Sequence, residues 1–515
     1  MPAIPSVTIT VADNGASAAL TVPASNIQLK IGCAIGGTVN QPFATTLPSS
    51  LQTQFVGGPL VEAGGLVCQA GNVCVAISVP IVTKGTAYAV QATVPGGSTS
   101  VVTTTLDATN GCWDQYYVRL KCLTGGTIGT SGIIVQTSLD AGRNWGTPIS
   151  LGTAASLYLG NGTLTSRVIG GTGIQLNFAA GTMVAGDSWQ FGTTPPLGNS
   201  AGKVAAIAAF QASQYGVAGV GSAHSVGDTM HGGSTDLETA SLQTQLQSGV
   251  AIFEFNRLIV ELRDALTPTT WGGSGETEAT WIAALSTATS GLVAQPRVCA
   301  DGGYYNTPSP YANPAGGLPS YRRPAAWSHA VRRTQIPLQR RAGRVKDNPY
   351  STIVVNPATD PTDGFIYHDE RVNPGLNAAR VGSLMTWPKK GAGYFQCQEP
   401  LLSAPGSQFT ELVIGNVLDV ACTIGYAAGV EEVSDDLLLQ ASGALDPIAR
   451  NVFQGGIQSA LSAGMIQTPL VSSVTATVDP VHNVLADNTI PVVISVTPRG
   501  YVNAISETIN LSNGV

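Results

Sequence analysis

The sequence has few charges, since only 11% of its 515 residues are Asp, Glu, Lys or Arg, against roughly 25% in an ordinary soluble domain. Its hydrophobic fraction is an ordinary 43%, which excludes a disordered chain, because disorder combines low hydrophobicity with high charge. Charge keeps soluble monomers apart. The composition therefore favours a subunit whose surface is covered by copies of itself. The alternative is a Gly-, Ser- and Thr-rich β protein with a neutral polar surface.

Several other features are missing. No apolar run approaches 18 residues, which predicts no membrane insertion, and no basic and apolar leader follows Met1, which predicts no secretory signal. The net charge of −7 argues against nucleic acid as a partner. The eight cysteines include no CxxC pair, so we expect buried free thiols rather than a zinc or redox site.

Motifs of nucleophilic, metal-dependent and phosphate-binding enzymes are also missing: there is no GxSxG, HExxH or Gly-Lys-Ser/Thr loop. His224 and His231, with Asp228 between them, could hold a metal, as could His368 and Asp369 in YHDER. For the first set we prefer a Gly-rich loop that carries these residues by chance. For the second we prefer a polar loop with an ion pair. We therefore predict no enzyme and no catalytic, cofactor or metal site.

One stretch, SLDAGRNW (Ser138 to Trp145), resembles the Asp-box turn of sialidase-type β-propellers. A propeller needs several copies of such a turn, and this sequence has one. We interpret it as a structural hairpin turn in which Asp140 caps backbone amides, Gly142 takes a positive φ and Trp145 fills the core.

The order of sequence patterns predicts a multidomain α+β or α/β fold. Short β-runs between Gly-rich turns predict an all-β, sandwich-like domain inserted at 108–197, and alternating helices and strands after it predict an α/β core. Asp446, Pro447 and Gly464 delimit a predicted helix, and DDLLLQASG (435–443) predicts another. The expected divisions are an N-terminal arm (1–25), the core in two parts (26–107 and 198–390) around the insertion, and an inner domain with a C-terminal arm (391–515).

The charges are unevenly distributed. Eight of the 24 basic residues lie between 322 and 346 without an acidic residue, whereas residues 391–515 hold eleven acidic residues against two arginines. Such asymmetry suits pairing between subunits, and two solvated faces are the alternative. The residues concerned are basic Arg332, Arg333, Arg340, Arg341 and Arg344, and acidic Glu431, Glu432, Asp435 and Asp436.

Both chain ends carry short alternating strands with few charges. A terminal strand without a local partner is suited to adding to a neighbour's sheet, although it could also fold back onto its own. The apolar faces of these predicted arms comprise Val7, Ile9 and Val11 at one end, and Tyr501, Ile505, Ile509 and Leu511 at the other.

Several stretches, in their order, resemble the sheath protein family of contractile phage tails. They are KIGCAIGG and FVGGPLVEAGG near the N-terminus, RRPAAWSHAVRRTQIP in the middle, then MTWPKKGAGYF and PGSQFTELVIGNVLD, and finally VTPRGYVNAISETINL. The resemblance covers most of the chain outside residues 108–197. None of these stretches is as specific as a phosphate-binding loop.

The resemblance implies an α/β sheath core with terminal strand-exchange arms. It implies hexameric rings of this chain stacked helically around a tail tube protein, with baseplate and tail terminator proteins as further partners and no cofactor. It implies contraction that drives the tube through the host envelope, and a location in the virion tail after synthesis in the host cytoplasm. We expect the acidic residues near 431–436 to face the tube and the five arginines to contact other subunits. A tail tube protein and the sheath of a phage-like secretion or toxin-injection machine are the alternatives.

Overall fold

The computed structural model describes residues 27–213, 221–230, 238–312, 319–354, 363–404, 406–433 and 436–501. The helices in these ranges are α1 (Pro48–Phe55), α2 (Pro59–Gln69), α3 (Ser200–Gln211), α4 (Thr239–Val250), α5 (Glu278–Ser290), α6 (Ala325–Gln335), α7 (Leu412–Val430), α8 (Pro447–Leu461) and α9 (Val484–Asp487). Short 3-10 turns lie at Thr269–Trp271 and Val345–Asp347, and a π turn at Ser462–Ile466 extends α8.

The strands fall into three groups along the chain. The first group comprises β1 (Ile27–Cys33), β2 (Phe43–Thr45) and β3 (Val73–Val79). The second comprises β4 (Gln91–Thr93), β5 (Val102–Leu106), β6 (Tyr117–Thr124), β7 (Gly126–Thr127), β8 (Ile134–Ser138), β9 (Ile149–Ser150), β10 (Ser156–Gly160), β11 (Gly171–Phe178), β12 (Thr182–Met183) and β13 (Ser188–Gly192). The third comprises β14 (Gly221–Asp228), β15 (Asn256–Glu261), β16 (Ala294–Asp301), β17 (Tyr304–Pro308), β18 (Ser320–Pro324), β19 (Leu384–Thr386), β20 (Tyr394–Gln396), β21 (Leu401–Ser403), β22 (Val471–Val478) and β23 (Val492–Pro498).

The chain divides into two compact units, the first from Pro23 to Asp419 and the second containing the residues from Val420 onward. We call these the core unit and the C-terminal unit. A seven-stranded sheet organises the core unit in the order β2-β3-β1-β14-β15-β16-β21. Its five central strands are parallel and both edge strands are antiparallel. The predicted mixed α/β class is confirmed.

Helices cover both faces of this sheet. Apolar side chains of α3, α4 and α5 pack on one face, and those of α1, α2 and α6 pack on the other. Near β16, Leu412 at the start of α7 also packs on this second face. The central strands are therefore buried on both sides, which explains their nearly continuous apolar sequences. This arrangement brings the polar residues of the parallel strands under α6.

The second group of strands lies between β3 and α3 in the chain. It forms a five-stranded sheet (β4-β13-β6-β8-β9), a three-stranded sheet (β10-β11-β5) and the small β7–β12 pair. The two larger sheets share one apolar core that includes Val118, Leu120, Ile174, Leu176 and Trp189. This β-rich segment begins at Gln91, upstream of the predicted boundary at residue 108, because β4 pairs with β13 and β5 pairs with β11. Its predicted outward position stays a prediction.

The C-terminal unit contains α8 and the β22–β23 hairpin. The buried positions Phe453, Ile457 and Leu461 follow the helical period along α8, and the Asp446 carboxylate accepts a hydrogen bond from the Ile448 amide at 2.9 Å, as its predicted capping role requires. The predicted stop at Gly464 is wrong, because the π turn continues to Ile466.

The helix predicted at 435–443 is also wrong. Residues 436–446 fold back in a turn in which the Gln440 amide donates to the Ala444 carbonyl at 2.7 Å and Gly443 has a φ of 82°. This turn buries Ala444 and Leu445 while Leu438 stays 74% exposed, so the Leu run does not form one apolar helical face. The arm residues Val7, Ile9, Val11, Ile505, Ile509 and Leu511 lie outside the described residues, and Tyr501 is half-buried.

Candidate functional site

Acidic residues from distant parts of the chain neutralise the start of the basic run 322–346. Arg322 forms a bidentate ion pair with Asp264, in which Nε and Nη2 donate to the two carboxylate oxygens at 2.7 and 2.8 Å. Arg323 binds Glu62 of α2 and lies 3.2 Å from the Asp114 carboxylate of the β-rich segment. Both guanidinium groups are buried. Arg323 therefore joins three parts of the core unit that are far apart in sequence.

The five arginines predicted to contact other subunits all have acceptors within the chain. These acceptors are the Asp347 and Asn348 carbonyls for Arg332, the Leu338 and Arg340 carbonyls for Arg333, the Asp347 carboxylate for Arg340 and Arg344, and the Glu411 carboxylate for Arg341. Arg340 and Arg344 are 37% and 41% exposed. The observed contacts of this run are intramolecular, and its inter-subunit role stays a prediction.

A buried imidazole lies at the centre of the network under α6. His329 Nδ1 lies 2.6 Å from the Asp301 carboxylate and Nε2 lies 2.7 Å from the Glu399 carboxylate. Burial alone would lower the pKa of His329, but the two carboxylates raise it to about 9. Glu399 also faces Arg333 at 3.5 Å. Burial would raise the pKa of Glu399, but these cations lower it to about 2.

The donor atoms of Cys299, Asp301 and His329 all lie within 4.8 Å of one another, a spacing suited to a metal ion. The ring nitrogens of His329 are already committed to two carboxylates, and the raised pKa keeps the ring protonated. A protonated imidazole has no lone pair for a metal. Burial also raises the pKa of the Cys299 thiol, so this cluster fits a structural ion pair better than a metal centre.

A second buried network crosses the parallel strands. Lys30 Nζ lies 2.6 Å from His224 Nδ1, and His224 Nε2 lies 2.9 Å from the Glu261 carboxylate. Trp327 of α6 donates to that carboxylate at 2.6 Å. Burial lowers the pKa of Lys30 to about 7 and raises that of Glu261 to about 8. The network can therefore persist with little net charge in the interior.

The described residues of the two possible metal sites bind other side chains and backbone groups. His224 contacts Lys30 and Glu261, Asp228 accepts from the Met230 amide, and His231 lies outside the described residues. His368 lies between Glu278 and Glu370 at 2.8 and 2.9 Å, whereas Asp369 binds the Thr386 hydroxyl. The interpretation of YHDER as a polar loop with an ion pair is confirmed.

Six thiols are free and buried, Cys397 is free and half-buried, and Cys422 is exposed. The prediction of buried free thiols is confirmed for those six and wrong for Cys422.

The turn at SLDAGRNW is structural. The Asp140 carboxylate accepts from the Ser138 hydroxyl, the Asn144 amide and the Ser320 amide at 2.8, 2.8 and 3.1 Å, and Gly142 has a φ of 89°. The predicted capping role and positive φ are confirmed. Trp145 is only half-buried, so its role as a core filler is wrong. The Ser320 contact shows that this turn also fixes β18.

Helix α7 is long and apolar enough to cross a membrane by length and composition, and 44% of its most apolar window is buried. It carries the buried Asp419, whose carboxylate is held by Arg257 at 2.7 and 3.0 Å and by Arg297 at 3.1 and 3.3 Å. Core helices of soluble proteins pass the same length and composition test. The ion pair favours a core helix here.

Exposed apolar side chains concentrate in the C-terminal unit. Every large apolar side chain of the described residues that is more than 60% exposed lies there, namely Val433, Leu438, Ile448, Val452, Val481, Leu485 and Val493. Ile448 and Val452 are one helical turn apart on the face of α8 opposite its buried residues. Strand β23 pairs with β22 on one side, and no other described strand pairs with it.

Of the acidic residues predicted to face a tube, those that the structure describes lie after α7 and not in a helix. Glu431 is exposed, Glu432 is half-buried and both are in a turn; Asp436 is exposed, and Asp435 lies outside the described residues. Sequence reasoning missed the buried networks around His329 and Lys30, since their members are spread over the whole core unit. The isolated Lys30 inside an apolar strand was the available signal, because an unpaired buried charge is costly.

No family model and no curated protein sequence matches this chain. It is similar to the solved structure of a sheath tail protein from Desulfitobacterium hafniense, with 11% identity over 96% of this chain and 100% of that one and a TM-score of 0.43. A sheath tail protein from Listeria innocua shows 9% identity, coverage of 92% and 94%, and a TM-score of 0.42. The contracted helical sheath of the anti-feeding prophage shows 8% identity, coverage of 98% and 99%, and a TM-score of 0.47.

Proposed function

We propose that this chain is the structural subunit of a contractile tail sheath, which polymerises as stacked hexameric rings around a tail tube. The observation that carries the proposal is the exposed apolar surface of the C-terminal unit. Burial of exposed apolar side chains against another surface is favourable, and where they cluster they mark interaction sites. The low charge of the whole chain supports self-association in the same way.

One edge of β23 pairs with no other described strand, and this edge supports strand exchange as the mode of assembly. An edge strand offers unpaired backbone groups, and an extended segment from another chain binds there by adding a strand. We assign the donor role to the arms, which carry Val7, Ile9 and Val11 at one end and Tyr501, Ile505, Ile509 and Leu511 at the other. Backbone pairing of this kind would keep subunits connected while they rotate during contraction.

The machine that contains this sheath is proposed to be a phage tail that drives its tube through the host envelope, with baseplate and terminator proteins at its ends. The sheath of a phage-like secretion or toxin-injection machine is the second candidate, because the anti-feeding prophage is among the structural neighbours. The neighbours of the gene would separate the two candidates.

Deletion of residues 1–12 tests the proposal. The full chain should form wide tubes in negative-stain electron microscopy, and the deletion variant should stay a folded monomer, because it lacks the N-terminal arm. Monomers of the full chain at all concentrations would contradict the sheath assignment, and narrow tubes would favour a tube protein. Normal wide tubes from the deletion variant would contradict the arm.

The apolar surface needs its own variant. Ile448→Ser with Val452→Ser should weaken tube formation without unfolding the monomer, since both side chains are more than 70% exposed. Val82→Ser with Val101→Ser is the matched control, because these valines are 58% and 60% exposed in the core unit. Equal loss of assembly in both double variants would contradict a specific role for the C-terminal unit.

A further inference from the structure

We infer that the tip of the β19–β20 hairpin binds the acidic turn after α7 in a second copy of this chain. The basic tip comprises Trp387, Lys389 and Lys390 together with the neighbouring Arg371. The acidic turn comprises Glu431, Glu432 and Val433. This inference rests on the self-assembly proposed above and replaces the tube as the partner of these acidic residues.

The basic tip stands on a fixed base. Leu384 of β19 and Tyr394 of β20 are buried in one apolar cluster. The Arg371 guanidinium donates to the Thr386 carbonyl at 2.9 Å, and the Thr386 hydroxyl donates to Asp369 at 2.5 Å. These contacts tie the loop before β19 to the hairpin, so Arg371 and the two lysines belong to one structural element.

The cations of the tip differ from those of the basic run 322–346. Arg371, Lys389 and Lys390 are exposed, and none of them forms an ion pair within the part of the chain that the structure describes. Trp387 is 36% exposed and Val372 beside Arg371 is 58% exposed. Lys389 also has a φ of 63°, a left-handed conformation that is uncommon for a residue with a side chain. The tip therefore offers an aromatic ring, an apolar side chain and three exposed positive charges.

The acidic turn has the complementary composition. Glu431 and Glu432 directly follow the 19-residue helix α7, where the helix dipole disfavours negative charge. No ion pair to either carboxylate occurs among the described residues, and Val433 is 70% exposed. Cations are the groups that stabilise a helix C-terminus. A tip with lysines and an exposed tryptophan supplies both the charge and the apolar contact that this turn lacks.

A charge exchange tests the pairing in the absence of any tube protein. K389E with K390E, and separately E431K with E432K, should raise the concentration for half-assembly about tenfold, since like charges facing each other disfavour an interface. The chain with all four substitutions should recover most of the loss. K121E with R167E is the matched control, because both residues are exposed cations of the β-rich segment. Wild-type-like assembly of K389E with K390E would overturn the pairing.

Carbodiimide cross-linking of a mixture of ¹⁴N- and ¹⁵N-labelled chains gives a second readout. We expect amide bonds between Lys389 or Lys390 and Glu431 or Glu432 in peptides of mixed isotope composition. Cross-links only within one isotope would overturn the inference, as would an E431K/E432K variant that assembles normally alone and fails only on a tube. Mixed cross-links without polymers would support the pairing and contradict the sheath. Polymers that show neither an effect of the charge substitutions nor mixed cross-links would support the sheath and contradict the pairing.

Discussion

The core unit and the C-terminal unit differ in the side chains that they bury and expose. The core unit buries charges and pairs almost all of them internally, as Arg323 does with Glu62 and Asp114. The C-terminal unit leaves apolar side chains such as Val452 and Leu485 in solvent. Buried pairs fix one arrangement of distant segments, whereas exposed apolar groups gain stability only when another surface covers them. The first unit is thus held together by its own contacts, whereas the second carries the surface that the proposed assembly would cover.

Asp419 gives the strongest test of the buried ion pairs in the core unit. Asp419→Ala would leave the guanidinium groups of Arg257 and Arg297 buried without their carboxylate, and removing one partner of a buried pair costs about 3–5 kcal/mol. We expect the free energy of unfolding in urea to fall by that amount. Asp347→Ala is the control, since its partners Arg340 and Arg344 are more exposed, and it should cost under about 1 kcal/mol. Equal losses would show that burial does not distinguish the two sites.

The His329 network should make stability depend on pH. Its pKa is about 9 when folded, above the ordinary value of 6.5, so its contribution is complete below pH 6.5 and is lost as pH rises through 9. We expect the stability difference between the wild type and His329→Gln to shrink by roughly 3 kcal/mol over that window. The measurement is urea unfolding between pH 6 and pH 9.5. A difference independent of pH would indicate a role in packing alone.

The same network predicts an acid limit. The folded pKa of Glu399 is about 2, below its ordinary 4.5, so its contribution is present above pH 4.5 and is lost as pH falls through 2. His329 faces the carboxylates of Asp301 and Glu399, and Glu399 also faces the guanidinium group of Arg333. His329→Gln should therefore also alter the acid unfolding profile, because it removes one of the cations that stabilise ionised Glu399.

The sequence patterns predicted the elements that periodicity describes and missed those that depend on distant partners. The alternation of β22 and the capped start of α8 at Asp446 were predicted correctly, since both signals are local. Helix α7 was not predicted, because its apolar residues lie on all sides of the helix and show no helical period. Asp419 interrupts the apolar sequence because it binds Arg257. The internal partners of the basic run were missed, because acidic residues such as Glu62 and Glu411 lie far away in sequence.

The smallest expected effect concerns the turn at SLDAGRNW, where local chemistry and a distant contact meet. Asp140 is 3% exposed, and Asp140→Ala would leave the amides of Asn144 and Ser320 without their acceptor. An unsatisfied buried donor costs about 1–3 kcal/mol, so thermal unfolding should show a loss of about 2 kcal/mol. Asp479→Ala removes a similar local acceptor at an exposed turn and should cost under about 0.5 kcal/mol. If both variants lost the same stability, the contact with β18 would contribute nothing, and Asp140 would act only within its own turn.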